Sequence, residues 1–326
     1  MIRFTWALAL TTLIFSMPSY GYILSERWTN TATDGGGLQF GDPTTITWSI
    51  IPDGTNISGE GPSDFIAAMD NIIGAGPGGS DLTQRPWFTL LEQSFGRWEE
   101  LGGITHVYEP NDIGGSSPGS DGVLGSRGDV RIGGVFQDGN SGVLAFNYFP
   151  SSGGDMVLDT GDTNIIGNSS NNFRAFRNII MHEHGHGIGI SHIESSNANF
   201  LMEPFLATSF DGPQLDDIRA LHRGYGDKFE KENNGNGNDT IGNAIALGSP
   251  TIGSPLVIGT AGDQTAVPAS ETDFVSIDQN TDTDFFSMLT KSVSEAGTAV
   301  WSPAVPMTSG LPMVGEPSAM AFPIVS

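Results

Sequence analysis

The run His182-Glu183-His184-Gly185-His186-Gly187-Ile188-Gly189-Ile190-Ser191-His192 reads H-E-x-x-H-x-x-G-x-x-H. Four residues advance an α-helix by about 6 Å and turn it by about 40°, so His182 and His186 project from one face toward a common point. Imidazole nitrogens bind zinc at about 2.0–2.1 Å, and two such ligands one helical turn apart supply half of a tetrahedral site. Glu183 falls near the same face, where its carboxylate takes the position of a general base beside a metal-polarised water. Gly189 is free to adopt the left-handed conformation that ends a helix, which brings His192 back as a third ligand and leaves the fourth position to water. His184 lies about 200° around the helix from His182 and falls outside the ligand set. The pattern predicts one catalytic zinc and hydrolysis of a peptide bond.

Working outward, residues 173–187 form a predicted helix with Phe173, Phe176, Ile179 and Ile180 on its buried side. A second long helix is expected over 85–101, where Trp87, Leu91, Phe95, Trp98 and Leu101 recur at three- and four-residue intervals before Gly102-Gly103 stops it. A short helix over 65–73 follows the cap signal Pro62-Ser63-Asp64. Segments 38–51, 104–109, 130–136 and 143–149 are β-rich runs bounded by Gly, Asp, Asn and Ser, and read as strands. The fold class is therefore α+β, a twisted mixed sheet backed by two long helices. His106 and His222 lack ligand spacing and read as structural.

The chain has 326 residues and a formal charge of -24, with 37 acidic against 13 basic side chains, which argues against nucleic acid as a partner. Acids interleaved with 45 glycines suit calcium binding, and equally suit a solvated surface. Cysteine is absent, which removes disulfides and thiolate ligands. Residues 1–21 read as an export signal: Arg3 is followed by a short apolar stretch and by Ser19-Tyr20-Gly21. The expectation is a secreted protein, a monomer, without a membrane anchor in the mature chain.

The zinc run followed by Leu201-Met202-Glu203-Pro204 resembles the metzincin metallopeptidases, specifically the matrixin branch with its L-M-x-P Met-turn. Gln214 and the QLDDIRALHRGYG segment it opens are similar to the closing matrixin helix. The resemblance implies that Met202 forms an apolar floor beneath the zinc ligands and that a protein or peptide substrate is bound. Gly142-Val143-Leu144-Ala145 resembles the family's substrate-aligning edge strand, which implies main-chain binding by Leu144 and Ala145. Pro204 would wall the pocket beyond the cut. Asp138, Asp155, Asp159 and Asp162 stand at positions like those that hold structural calcium, although ordinary loop acids read the same way.

The departures are informative. Phe146 and Val157 occupy positions where matrix metalloproteinases place histidines for a second zinc, so that ion is expected to be absent. The stretch from His192 to Met202 is longer than usual, and Ile193 replaces a serine. The 16 residues of 22–37 leave no room for an inhibitory propeptide, and a cysteine switch is excluded. The expected organisation is a signal at 1–21, a short segment at 22–37, the matrixin-like domain at 38–226 and a polar linker at 227–239. A small all-β segment at 240–290, resembling part of a prepeptidase C-terminal domain, precedes an uncertain tail at 291–326. The alternative to an enzyme is an inert zinc- or calcium-binding adhesion module on the same fold, which intact Glu183 and ligands argue against.

Overall fold

The computed structural model describes residues 21–115, 117–118, 121–194, 200–248, 283–288 and 305–308. The bulk of the expected export signal, most of the 240–290 segment and most of the 291–326 tail lie outside them.

The chain opens with a short strand β1 (Ile23–Leu24), then builds a five-stranded sheet from β2 (Thr44–Ile50), β3 (Ile104–Tyr108), β4 (Val130–Val135), β5 (Ala145–Asn147) and β6 (Met156–Asp159). Their spatial order is β3-β2-β4-β6-β5. All neighbours are parallel except β5, which runs antiparallel to β6 and closes one edge. Ile46, Trp48 and Ile50 alternate with Thr47 and Ser49 along β2, and all five are buried, as expected for a central strand covered on both faces. The first and fourth expected strands are shorter than their sequence patterns, and β6 was not expected, because its four residues carry too little periodicity to be read alone.

Helices α1 (Phe65–Ile72) and α2 (Pro86–Leu101) follow β2. Pro86 starts α2, where its missing N–H costs nothing, and Trp87, Leu91, Phe95, Trp98 and Leu101 are all buried. Trp48 stacks on Phe88 and Phe95, with ring centroids 5.3 and 4.8 Å away, so the helix is seated on the sheet by aromatic rings. Gly102 caps the helix, and Gly103 after it passes close to a neighbour: a Cβ there would lie 1.9 Å from the Tyr225 carbonyl oxygen.

Helix α3 (Ser170–Gly187) packs beside α2, and the indole N–H of Trp98 donates to the Met181 carbonyl at 3.0 Å. It begins three residues before the expected start, through Asn171, Asn172 and Phe173 at φ of 53° to 56°, a left-handed turn favoured by asparagine. Arg177 holds that turn by donating to the Asn172 carbonyl at 2.9 Å and the Asn171 carbonyl at 3.3 Å. A two-residue strand β7 (Ile190–Ser191) pairs antiparallel with β1, and helix α4 (Leu215–Tyr225) closes the domain. Beyond it, β8 (Ile245–Gly248), β9 (Thr283–Met288) and β10 (Val305–Thr308) form a three-stranded sheet. Phe286 of β9 meets Phe229 edge-on at 5.9 Å.

Candidate metal centre and cleft

His182, His186 and His192 converge, and among the described residues they form the one group of three side chains of metal-ligating type whose ligating atoms all lie within 4.8 Å of one another. The Nε2 atom of His192 lies 3.0 Å from Nε2 of His182 and 3.1 Å from Nε2 of His186. Their outer nitrogens fix the tautomers. His182 Nδ1 is 2.7 Å from the Leu201 carbonyl and His186 Nδ1 is 2.7 Å from the Ile190 carbonyl. A carbonyl only accepts, so each Nδ1 carries the proton and each Nε2 presents a lone pair to the shared centre. Burial holds the His182 and His186 imidazoles down to about 3 and about 4, which keeps them neutral at pH 7. Lone pairs this close repel unless a cation lies among them, and nitrogens around a tetrahedral zinc stand about 3.4 Å apart, so the donor set fits that ion.

Glu183 is buried, 7% exposed, and shares the cleft wall with the histidines. Burial alone pushes its carboxyl up to about 8 in the metal-free protein. His184 points away, as expected, and its Nε2 lies 2.8 Å from Nε2 of His106 in a buried imidazole pair against Phe95. His222 is also structural, with Nε2 2.7 Å from the Leu101 carbonyl.

Met202 packs against the metal helix where Gly185 has no side chain: a Cβ at Gly185 would lie 2.3 Å from its sulfur. The turn is held by Asp217, whose carboxylate accepts the N–H groups of Leu201, Met202 and Gln214 at 2.7, 3.2 and 2.8 Å. Burial pushes that carboxyl up to about 7, against the pull of its three N–H donors. Sequence reasoning identified the Asp-Asp-Ile helix start but not this contact, because the partners are fifteen or more residues apart.

The histidines open onto a cleft of about 850 Å³, walled on one side by Leu144, Ala145 and Asn147 and on the other by Pro204, Phe205 and Phe210. β5 is therefore an edge strand facing the cleft, with Leu144 just before it; the Leu144 carbonyl accepts from Asp159 N–H at 2.9 Å. The opposite wall is tied to the metal helix. The Asn178 amide donates to the carbonyls of Ala207 and Phe210 at 2.8 and 3.0 Å and accepts Gly212 N–H at 2.9 Å, while Arg177 grips Asp211 with two 2.7 Å bonds.

The four acids separate. Asp159 accepts four N–H groups, from Gln137, Asp138, Gly139 and Gly161, and so shapes the loop that carries Asp138. Asp162 accepts Ser141 N–H, and its Oδ2 is buried without a hydrogen-bond partner among the described residues. Asp155 sits at the other end of β6, bonded to Ser117 Oγ at 2.6 Å and Arg131 N–H at 3.0 Å. Four extended residues span about 13 Å, so Asp155 is not part of the Asp138-Asp159-Asp162 group. Phe146 and Val157 face each other across β5 and β6 in an apolar cluster with Ile51, Ile57 and Val135.

Residues 126–226 match the family model of the matrixins, the M10 peptidases. The chain carries a matrixin-like metallopeptidase domain. The match begins close to Gly128, after which the motifs become specific, and ends at the glycine that closes α4. A domain of this kind supports a zinc metallopeptidase-type function in general, a class of hydrolase that acts on proteins. No helix among the described residues is long and apolar enough to cross a membrane.

Proposed function

We propose that this protein is a secreted zinc metalloendopeptidase in which His182, His186 and His192 hold one zinc and Glu183 is the general base. The observation that carries the reading is the convergence of three Nε2 lone pairs beside a buried carboxylate, inside the segment that matches the matrixins. Bound zinc supplies Lewis acidity, which polarises a carbonyl and acidifies a water. Glu183 would take the proton of the attacking water at its carboxylate and pass it to the departing amine, the charge of a bound cation beside it favouring the ionised carboxylate that a base must be. Leu144 and Ala145 align the substrate as an added strand on the β5 edge, and Pro204 borders the pocket that receives the residue after the cut. Met202 supports the histidines from below. No covalent intermediate forms.

The proposed organisation follows the expected one, with the catalytic unit at 38–226, a linker at 227–239 and an all-β segment beyond it. Calcium is proposed beside the loop carrying Asp138, where Asp159 at the end of β6 and Asp162 just beyond it lie, supported by the buried Asp162 Oδ2 that has no hydrogen-bond partner among the described residues. The test is casein or gelatin cleavage by the purified chain before and after zinc chelation. Cleavage that disappears with chelation and returns on adding zinc supports the reading; cleavage indifferent to chelation contradicts it.

A further inference from the structure

The metal helix has to stop almost at once after His186, because the third histidine lies only six residues on and must fold back. Stopping a helix leaves its last carbonyls without partners. The partners found here come from two distant parts of the chain. The indole N–H of Trp28 donates to the Gly187 carbonyl at 2.8 Å, and the Tyr225 hydroxyl donates to the Ile188 carbonyl at 2.9 Å. The Gly189 carbonyl accepts the N–H groups of Ser25 and Glu26 at 2.9 and 3.4 Å. Trp28 N–H in turn donates to the Tyr225 oxygen at 3.1 Å, which joins the two sources. Three consecutive carbonyls are thus held from outside the metal-binding segment.

The approach is as close as the backbone permits. Gly189 has φ of +97°, and a Cβ there would lie 1.9 Å from the Glu26 carbonyl oxygen. Directly after it, β1 pairs with β7, matching Leu24 to Ile190 and Ile23 to Ser191, and Ser25 Oγ meets Ser191 Oγ at 2.6 Å. This short stretch governs two of the three ligands. It carries His192 at its end, and its Ile190 carbonyl fixes the ring of His186. Trp28 is 6% exposed and Tyr225 is fully buried, and neither lines the cleft.

We infer that Trp28 and Tyr225 are positioning residues for the metal centre: by holding the carbonyls of Gly187 and Ile188 they set the exit of the metal helix, and with it where His192 meets His182 and His186. The inference rests on those histidines being the zinc ligands. Groups that orient ligands from behind weaken metal binding by about 10- to 100-fold when removed. Trp28→Phe keeps a ring but loses the indole N–H, and Tyr225→Phe loses the hydroxyl alone.

The test is zinc affinity of the full chain, measured by competition with a chromophoric chelator well below the unfolding temperature of each metal-free protein. At such a temperature a change in folding stability leaves the apparent affinity unchanged. Ile46→Val, a buried position on β2 of the sheet and outside the metal-binding segment, serves as a variant with a lowered Tm. The expected result is one zinc per wild-type chain, affinity at least tenfold weaker in Trp28→Phe and in Tyr225→Phe, and unchanged affinity in Ile46→Val. Cobalt-loaded protein gives a second readout, in which both variants shift the visible ligand-field spectrum; the two substitutions are independent, so either one that folds cooperatively decides the point. Variants that fold cooperatively and match the wild type in affinity and spectrum overturn the positioning role alone. A wild type that binds no zinc, or a His192→Ala variant that binds it as tightly, overturns the ligand assignment and the inference with it.

Discussion

Gly185 and Asp217 make the residue-scale case, because neither touches substrate and both decide where catalytic groups stand. A methyl group at Gly185 would meet the Met202 sulfur at 2.3 Å, well inside contact distance, in a packed interior that has little room to yield. Gly185→Ala should therefore destabilise the fold by about 1–3 kcal/mol, read as a lower midpoint in urea with an unchanged slope. A midpoint equal to the wild type would show that the methionine is loosely held. Asp217→Asn substitutes an NH2 for an acceptor oxygen that faces main-chain N–H groups of the Met-turn and the start of α4. One donor is then left facing another, at a cost of about 1–3 kcal/mol measurable in the same titration. His182, Glu183 and His186 were legible in the sequence because their arrangement follows from helix periodicity, and His192 because Gly189 at a fixed offset lets the chain turn back toward them. Asp217 was not, since only the folded chain brings α4 under the turn.

At the scale of elements, the wall between Met202 and Gly212 is held to α3 by Arg177 and Asn178 rather than by regular structure of its own. Replacing Asn178 with Leu leaves the Ala207 and Phe210 carbonyls and the Gly212 N–H unpaired in a buried place. The expected outcome is a loss of about 2–4 kcal/mol and a broadened preference for the residue after the cut, read from a peptide-library cleavage profile. An unaltered profile would mean that this wall does not select substrate. The long helices α2 and α3 were foreseen because their apolar faces repeat over four or more turns. The short strand β6 and the left-handed turn of Asn171, Asn172 and Phe173 were not, because four residues carry no period and the turn depends on Arg177 reaching back to it. Asp155 shows the same limit: close in sequence to Asp159, it stands at the far end of β6 beside Arg131.

Across the whole molecule, buried titratable groups set how stability varies with pH in the metal-free protein. His182, His184, His186 and His222 are held at about 3, 3, 4 and 4, and His106 well below its ordinary value, all chiefly by burial. A base depressed in the folded state contributes stability that is present above its unfolded pKa of about 6.5 and is lost as pH falls toward the folded value. Asp155 and Asp217 are raised to about 7 and Glu183 to about 8, again by burial. An acid raised in the folded state acts in the opposite sense: its contribution is present below about pH 4 and is lost as pH rises through the folded value. The depressed histidines, His192 among them, act as pH falls below 6.5, and the three carboxylates raised furthest act as pH rises from 6.5 to 8. Stability of the metal-free protein should therefore peak near pH 6.5 and fall on both sides, with unfolding on the acid side taking up roughly one to two protons. Urea midpoints across that range check it, and a flat profile contradicts it. The central claim is that a zinc held by His182, His186 and His192 works with Glu183 to cut peptide bonds. Its most direct test compares turnover of a quenched fluorescent peptide by wild type and Glu183→Gln at equal measured zinc content. The account predicts one zinc in each and a rate at least about 100-fold lower in the variant. Equal rates at equal zinc would contradict it.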